Sequence, residues 1–178
     1  MKRAWMAAAG IVLMSMGAAW SGAPRDREAD QDRASQADAA AQNMLTPAEQ
    51  AAGWTLLFDG ESTDAWRGYR EEGFPEQGWT VEHRALKVSA GGGDLITKEQ
   101  DANFELALEW KASPAGNSGI MYLVSEKHGA PWQTGPEFQI LDDAGAGVAS
   151  KHQHSAGSMY DLYAPPEEKT LNPAGEWN

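Results

Sequence analysis

The chain contains no cysteine. That excludes disulfides, thiolate metal sites, a cysteine nucleophile and a lipid-modified N-terminal cysteine. Positive charge is also scarce: 14 Lys and Arg stand against 26 Asp and Glu, a formal net charge of −12. No Lys/Arg cluster interrupts this acidic balance. Such a surface repels phosphate backbones, so no nucleic-acid partner is expected. The glycine run Gly91-Gly92-Gly93 lacks a following Lys-Ser/Thr and has no dinucleotide spacing, so it is not a phosphate cradle and no nucleotide cofactor is expected.

The one apolar run is at the start. Lys2 and Arg3 precede apolar and small residues over positions 4–19, and Ser21-Gly22-Ala23 has the small-x-small form of a cleavage site. Residues 1–23 are expected to be a signal peptide, cut before Pro24 or, because Pro disfavours that cut, after Ala19 or within the next few residues. A membrane span needs ~20 apolar residues, so the run is short for an uncut anchor. A mature chain with no stable membrane insertion, no disulfide and no lipidated cysteine fits a bacterial periplasm. Residues 24–43 have no aliphatic side chain larger than Ala. They cannot bury enough surface to offset ordering entropy and are expected to be a disordered linker.

The length fits one domain, expected over residues 44–178. Thr46-Pro47-Ala48-Glu49 starts a brief helix, with Thr46 as N-cap and Glu49 completing a capping box, and Gly53 ends it. Residues 54–58 read as a strand, and residues 78–82 and 85–88 as a hairpin with His83-Arg84 near the turn. Residues 90–94 read as a flexible loop and residues 95–97 as a short strand. In residues 104–111, Phe104, Leu106, Leu108 and Trp110 alternate with polar residues and are expected to face a core. Residues 114–119 read as a turn, 120–124 as a strand, 145–157 as a loop holding His152 and His154, and 158–163 as a strand. Short strands separated by Gly/Pro turns, with little helix, indicate an all-β fold, an antiparallel β-sandwich or jelly roll. Trp177 reads as the entry to a further strand. The sequence is therefore expected to be truncated at its C-terminus, since a sandwich stopped there leaves an edge unpaired.

Residues 135–143 are the most informative stretch. After the turn signal Gly135-Pro136, polar and apolar residues alternate. In a strand this puts Glu137, Gln139 and Leu141 on one face and Phe138, Ile140 and Asp142 on the other. Phe138 and Ile140 are the expected core side. Glu137 and Gln139 then stand side by side, a carboxylate beside an amide on a rigid element, as suits a polyhydroxylated ligand or a metal. The alternative is a solvated outer face. Of the eight Trp, Trp132 lies just before this strand. Trp is by default a core residue, but its flat apolar face also stacks on sugar rings.

Several stretches together carry a resemblance. They include Leu45-Thr46-Pro47-Ala48-Glu49 with Gly53-Trp54, Leu57-Phe58-Asp59-Gly60, Asp94-Leu95-Ile96-Thr97-Lys98 and Phe104-Glu105-Leu106 with Glu109-Trp110. They continue through Gly116-Asn117-Ser118-Gly119-Ile120, Pro136 to Asp143, Ala156-Gly157-Ser158-Met159-Tyr160 and Gly175-Glu176-Trp177-Asn178. In number and order they resemble the 3-keto-disaccharide hydrolase domain family. The resemblance implies a concanavalin-like jelly roll, commonly exported by bacteria, with a carbohydrate ligand on its concave face. It also implies continuation after Asn178 into further strands.

The implied substrate is a 3-keto-glycoside or 3-keto-disaccharide. Its ketone acidifies the C2 proton, and removal of that proton allows elimination at C1. This chemistry needs a general base, an electrophile for the enediolate and a donor for the leaving oxygen. On this reading Glu137 is ligand or base, Glu109 a second carboxylate and His154 an acid/base. Gln139, Asn117, Trp132 and Tyr160 bind the sugar. Asp142 orients His154 or, with Glu137 and His154, holds a divalent metal ion that supplies the electrophile. Plainer roles stand beside these: Asn117 as a turn residue, Asp142 and Asp143 as strand terminators, His152 and His154 as exposed loop residues, Glu109 as a solvated strand residue. The alternative function is a non-catalytic carbohydrate-binding module.

Overall fold

The structure is a computed structural model that describes residues 1–10, 43–149 and 152–178. The disordered-linker expectation, residues 24–43, falls outside these residues except for Asn43. That residue is already part of the domain: it is buried, and its Nδ2 donates to Arg84 O at 2.8 Å.

Nearly all regular structure is β. The strands are β1 (Lys2–Gly10), β2 (Trp54–Phe58), β3 (Trp66–Gly68), β4 (Trp79–Glu82), β5 (Ala85–Val88), β6 (Leu95–Thr97), β7 (Phe104–Lys111), β8 (Asn117–Met121) and β9 (Glu137–Leu141). Helix α1 (Pro47–Ala51) opens with the expected capping box: Glu49 N donates to Thr46 Oγ1 at 3.2 Å, and Thr46 N donates to Glu49 Oε2 at 2.7 Å. The β4–β5 hairpin turns through His83 (φ 48) and Arg84 (φ 60). Two successive left-handed residues give the twist a two-residue hairpin needs.

The pairs β3–β6, β4–β5 and β8–β9 are antiparallel. The first sheet departs from the antiparallel expectation: its order is β2–β1–β7, and β1 runs parallel to both neighbours. Residues 2–10 thus lie as a strand within the stretch expected to be a signal peptide, and the rest of that stretch, residues 11–23, is outside the described residues. Among the described residues no helix is long and apolar enough to cross a membrane.

Two apolar clusters form the core. Phe58, Trp66 and Leu86 make one, and Trp110, Ala112, Ile140, Leu141 and Ala156 the other. Leu108 of β7 packs against both, which is what the alternation in this strand is for. At the chain's end, Asn178 exchanges both backbone hydrogen bonds with Trp110 (2.8 Å each).

Four local expectations are corrected. Strand β8 begins at Asn117, not at residue 120, and stops at Met121 because Leu123 takes φ 56. Residues 158–163 are not a strand but a tight reversal. Met159 and Tyr163 bond each other's backbone (3.0 and 2.9 Å) around Asp161 at φ 60. Phe138 is exposed although Ile140 is 2% exposed, because the cluster of Trp110 and Leu141 reaches only the far half of β9. The glycine loop is pinned: Gly92 packs so closely on Gly78 that a Cβ on either would collide with the other's backbone.

A salt bridge not anticipated from sequence ties β3 to the segment before β9. Arg67 Nη1 and Nη2 donate to the two carboxylate oxygens of Glu126 (2.7 and 2.6 Å), and Arg70 N donates to Glu126 Oε1 at 2.7 Å. The Arg67 bond, against a smaller opposing effect of burial, brings the Glu126 carboxyl from an ordinary 4.5 down to about 2. A lowered folded pKa contributes stability above the unfolded value and loses it as pH falls through the folded one. Acid unfolding followed by circular dichroism is therefore expected to show a pH-dependent loss between about 4.5 and 2 that Glu126→Gln reduces.

Candidate active site

Strand β9 is the platform. It pairs with β8 on one side, with Gly119 opposite Gln139 and Met121 opposite Glu137. On its other side it is bonded to the segment after the histidine loop: Gly157 N donates to Gln139 O, Gln139 N to Ser158 O and Tyr160 N to Glu137 O (2.8, 3.0 and 2.9 Å). A strand held on both edges fixes its side chains, and the second set of bonds carries Tyr160 to Glu137.

Above β9 lies an open cavity of about 500 Å³, lined by Asn117, Trp132, Gly135, Pro136, Glu137, Gln139, Tyr160 and Leu162. All five residues that sequence reasoning grouped as Glu137 and its sugar-binding partners are therefore together. Trp132 and Tyr160 are exposed, at 67% and 40%, and give the cavity its aromatic lining. Asn117 reaches the cavity as the first residue of β8, not from a turn.

Gln139 is buried. With its nitrogen toward Ser118 O (2.8 Å) and Glu137 Oε1 (3.1 Å) its amide makes two bonds of normal length. The opposite orientation makes one bond of 3.4 Å to His154 O. The first is the better satisfied. Gln139 thus holds the Glu137 carboxylate. Burial first, and then the negative charge of Asp94, push the Glu137 carboxyl above its ordinary value. Asp94 itself is pushed up by partial desolvation.

The carboxylate of Glu137 lies over Gly119, where a Cβ would collide with it. The second glycine of Gly116-Asn117-Ser118-Gly119 reads as turn chemistry, but inside a strand a glycine marks close approach of another group. Gly119→Ala is expected to displace the carboxylate and lower turnover by about 10–100-fold. The fold should be retained, since Ala is otherwise the better strand residue. Steady-state kinetics beside a thermal melt separates the two effects.

Three expected site residues lie elsewhere. Glu109 is exposed on β7 and does not border the cavity. Asp142 precedes the short helix α2 (Asp143–Ala146), and its Oδ2 accepts from Ala115 N at 2.8 Å, so it ties down a turn. His154 stands behind the cavity wall. Its ring stacks on Tyr160 (centroids 4.7 Å apart, 15° between planes), and its Nε2 is 2.9 Å from Asp161 Oδ1. The bond from His154, then that from Gln153, lowers the Asp161 carboxyl. Of the suggested metal ligands only Glu137 lines the cavity. Among the described residues no group of three or more His, Asp or Glu is placed to hold a metal ion, so the set Asp142, Glu137 and His154 does not fit one.

Asp143 proves to be more than a strand terminator. It is buried, its Oδ2 accepts from Lys169 Nζ at 2.6 Å, and its Oδ1 accepts from Ala156 N at 2.8 Å. It anchors the segment that leads to Tyr160. Nothing in sequence spacing pairs positions 143 and 169.

A family model described as a 3-keto-alpha-glucoside-1,2-lyase-like domain matches residues 53–178. A Bacteroides thetaiotaomicron protein named 3-keto-disaccharide hydrolase is 31% identical over 197 residues, covering 96% of this chain and 67% of its own. A crystal structure of a Parabacteroides distasonis protein, provisionally described as a glycosyl hydrolase, is similar at 31% identity and a TM-score of 0.63. That match covers 76% of this chain and 66% of the other, so this chain spans about two thirds of the length of each relative. With a match running from Gly53, just before β2, through the cavity strands to Asn178, the chain belongs to the 3-keto-alpha-glucoside-1,2-lyase-like domain family.

Proposed function

We propose that the protein cleaves 3-keto-glycosides, 3-keto-disaccharides among them, by proton abstraction at C2 and elimination at C1. The observation that carries this is Glu137: a carboxylate with a raised pKa, held by Gln139 in a sugar-sized cavity with aromatic walls. A carboxylate with a raised pKa is a stronger base than an ordinary one.

In the first step Glu137 takes the C2 proton, the C–H electron pair becomes the C2=C3 double bond, and the ketone oxygen takes the negative charge of the resulting enediolate. In the second the C1–O bond breaks, its electrons leave on the glycosidic oxygen, and that oxygen takes up a proton. The products are the free alcohol or sugar and a 1,2-unsaturated 3-ketose. Water then adds across C1=C2, its oxygen to C1 and a proton to C2, so that the net reaction is hydrolysis. Asn117 is at the cavity to hydrogen-bond the sugar. Trp132 and Tyr160 stack on its apolar face.

The family assignment and the all-β architecture support a concanavalin-like jelly roll as the parent fold. The positive start and apolar run of residues 2–19 support export to the periplasm. N-terminal sequencing of protein recovered from the producing cell tests that, because a cut near Pro24 would take β1 from between β2 and β7.

Incubation with a 3-keto-glucoside, with and without chelator, followed by product analysis tests the reaction. Release of the alcohol together with a 3-keto-2-hydroxyglycal or 3-keto-glucose is expected. Binding of the sugar without any product would favour the carbohydrate-binding alternative.

A further inference from the structure

The segment from Gly129 to Pro136 borders two hollows. Trp132, Gly135 and Pro136 face the cavity of Glu137. Gly129 borders a second cavity of about 700 Å³, whose walls include Tyr69, Phe74, Glu76, Gln77 and Asp94. Gly129 and Trp132, three residues apart in the chain, border one cavity each, so the hollows are neighbours. The second cavity is built on fixed parts. Tyr69 Oη lies 3.0 Å from both Ser125 O and His128 O, which share its one proton, Trp79 Nε1 donates to Gly93 O at 3.1 Å, and Gly92 is seated on Gly78.

Its size lies in the range of small-molecule sites, about 300–1,000 Å³. Its chemistry is selective. Glu71, Glu76 and Asp94 accept hydrogen bonds, Gln77 both donates and accepts, and Phe74 offers an apolar surface. Among the described residues no Lys or Arg lines it. Such walls suit a neutral ligand rich in hydroxyls and repel an anion.

We propose that this second cavity binds the leaving-group sugar of a 3-keto-disaccharide, while the oxidised ring sits over Glu137. The proposal rests on the function above for the oxidised ring, but its test does not need turnover.

Free glucose serves as the leaving-group ligand, titrated into the full chain and followed by ligand-observed NMR or calorimetry. Glu137→Gln is expected to bind it as wild type does. The double substitution Glu76→Ala/Gln77→Ala, at two exposed positions, is expected to weaken it about tenfold, with an unchanged melting temperature as the folding control. Glucuronate at low salt is expected to bind at least about tenfold more weakly than glucose, a difference of 1.4 kcal/mol. Any of three results overturns the proposal: glucose binding lost in Glu137→Gln yet kept in the double variant, glucuronate binding as tightly as glucose, or no glucose binding to the wild type. Absence of turnover with this glucose pattern intact would count against the reaction and leave the second cavity standing.

Discussion

Glu137→Gln is expected to lower kcat for a 3-keto-glucoside by about 10³-fold, within the span for loss of a general base, without loss of the fold. The amide is isosteric and keeps an oxygen for Gln139 Nε2 and for the space above Gly119. The stability effect has a definite sign. Burial raises the folded pKa of Glu137 above its ordinary value, so the folded state binds more protons between the two values, and the ionised carboxylate costs stability above them. Gln removes that cost. At neutral pH the variant should melt no lower than the wild type while losing turnover, the pattern of a group placed for chemistry.

The same sign governs the rate profile. Glu137 must be ionised to act, so activity rises as pH passes its raised pKa. Asp94→Asn removes the negative charge that contributes to the rise and should move the acid limb of kcat to lower pH. A limb at the ordinary carboxylate value in the wild type, unmoved by Asp94→Asn, would remove Glu137 as the base.

Lys169→Met is expected to destabilise the fold by about 3–5 kcal/mol, because it leaves the buried Asp143 carboxylate without its ammonium partner. For a chain of this size that lowers Tm by roughly 10 °C. The pair is closed from water, with side chains 9% and 8% exposed, so solvent does not screen it. The double substitution Asp143→Leu/Lys169→Met should recover part of the loss by removing both charges. Recovery is expected to be incomplete: Asp143 Oδ1 also accepts from Ala156 N, and an unsatisfied buried amide costs about 1–3 kcal/mol. Thermal melts of the three variants measure all of this. If Lys169→Met melted as the wild type does, the pair would not be holding the segment that carries Tyr160.

Local signals explain what was legible in advance. Thr46, Pro47 and Glu49 specify a helix start by capping chemistry within one turn. The alternation from Phe104 to Trp110 specifies a half-buried strand, because side-chain direction in a strand has a period of two. Glu137 and Gln139 share a face for the same reason, and the cavity gathers them with Asn117, Trp132 and Tyr160.

Long-range packing decided the rest. Alternation says which side chains share a face but not how far the core extends beneath it, so Phe138 is exposed while Gln139 is buried. Composition marks the histidine loop as polar but cannot say that His154 stacks behind Tyr160 instead of facing the cavity. Gly119 is needed because a carboxylate from another strand crosses it, Asp143 because Lys169 meets it from a distant segment, and Asp94 because folding carries its charge to Glu137. The sequence by itself determined the strand-rich architecture and the identity of the acid–amide pair, since both follow from neighbours a few residues apart. Only the tertiary structure decided which charges are desolvated and which groups share a cavity, since burial and Coulomb terms depend on distances that chain order does not set.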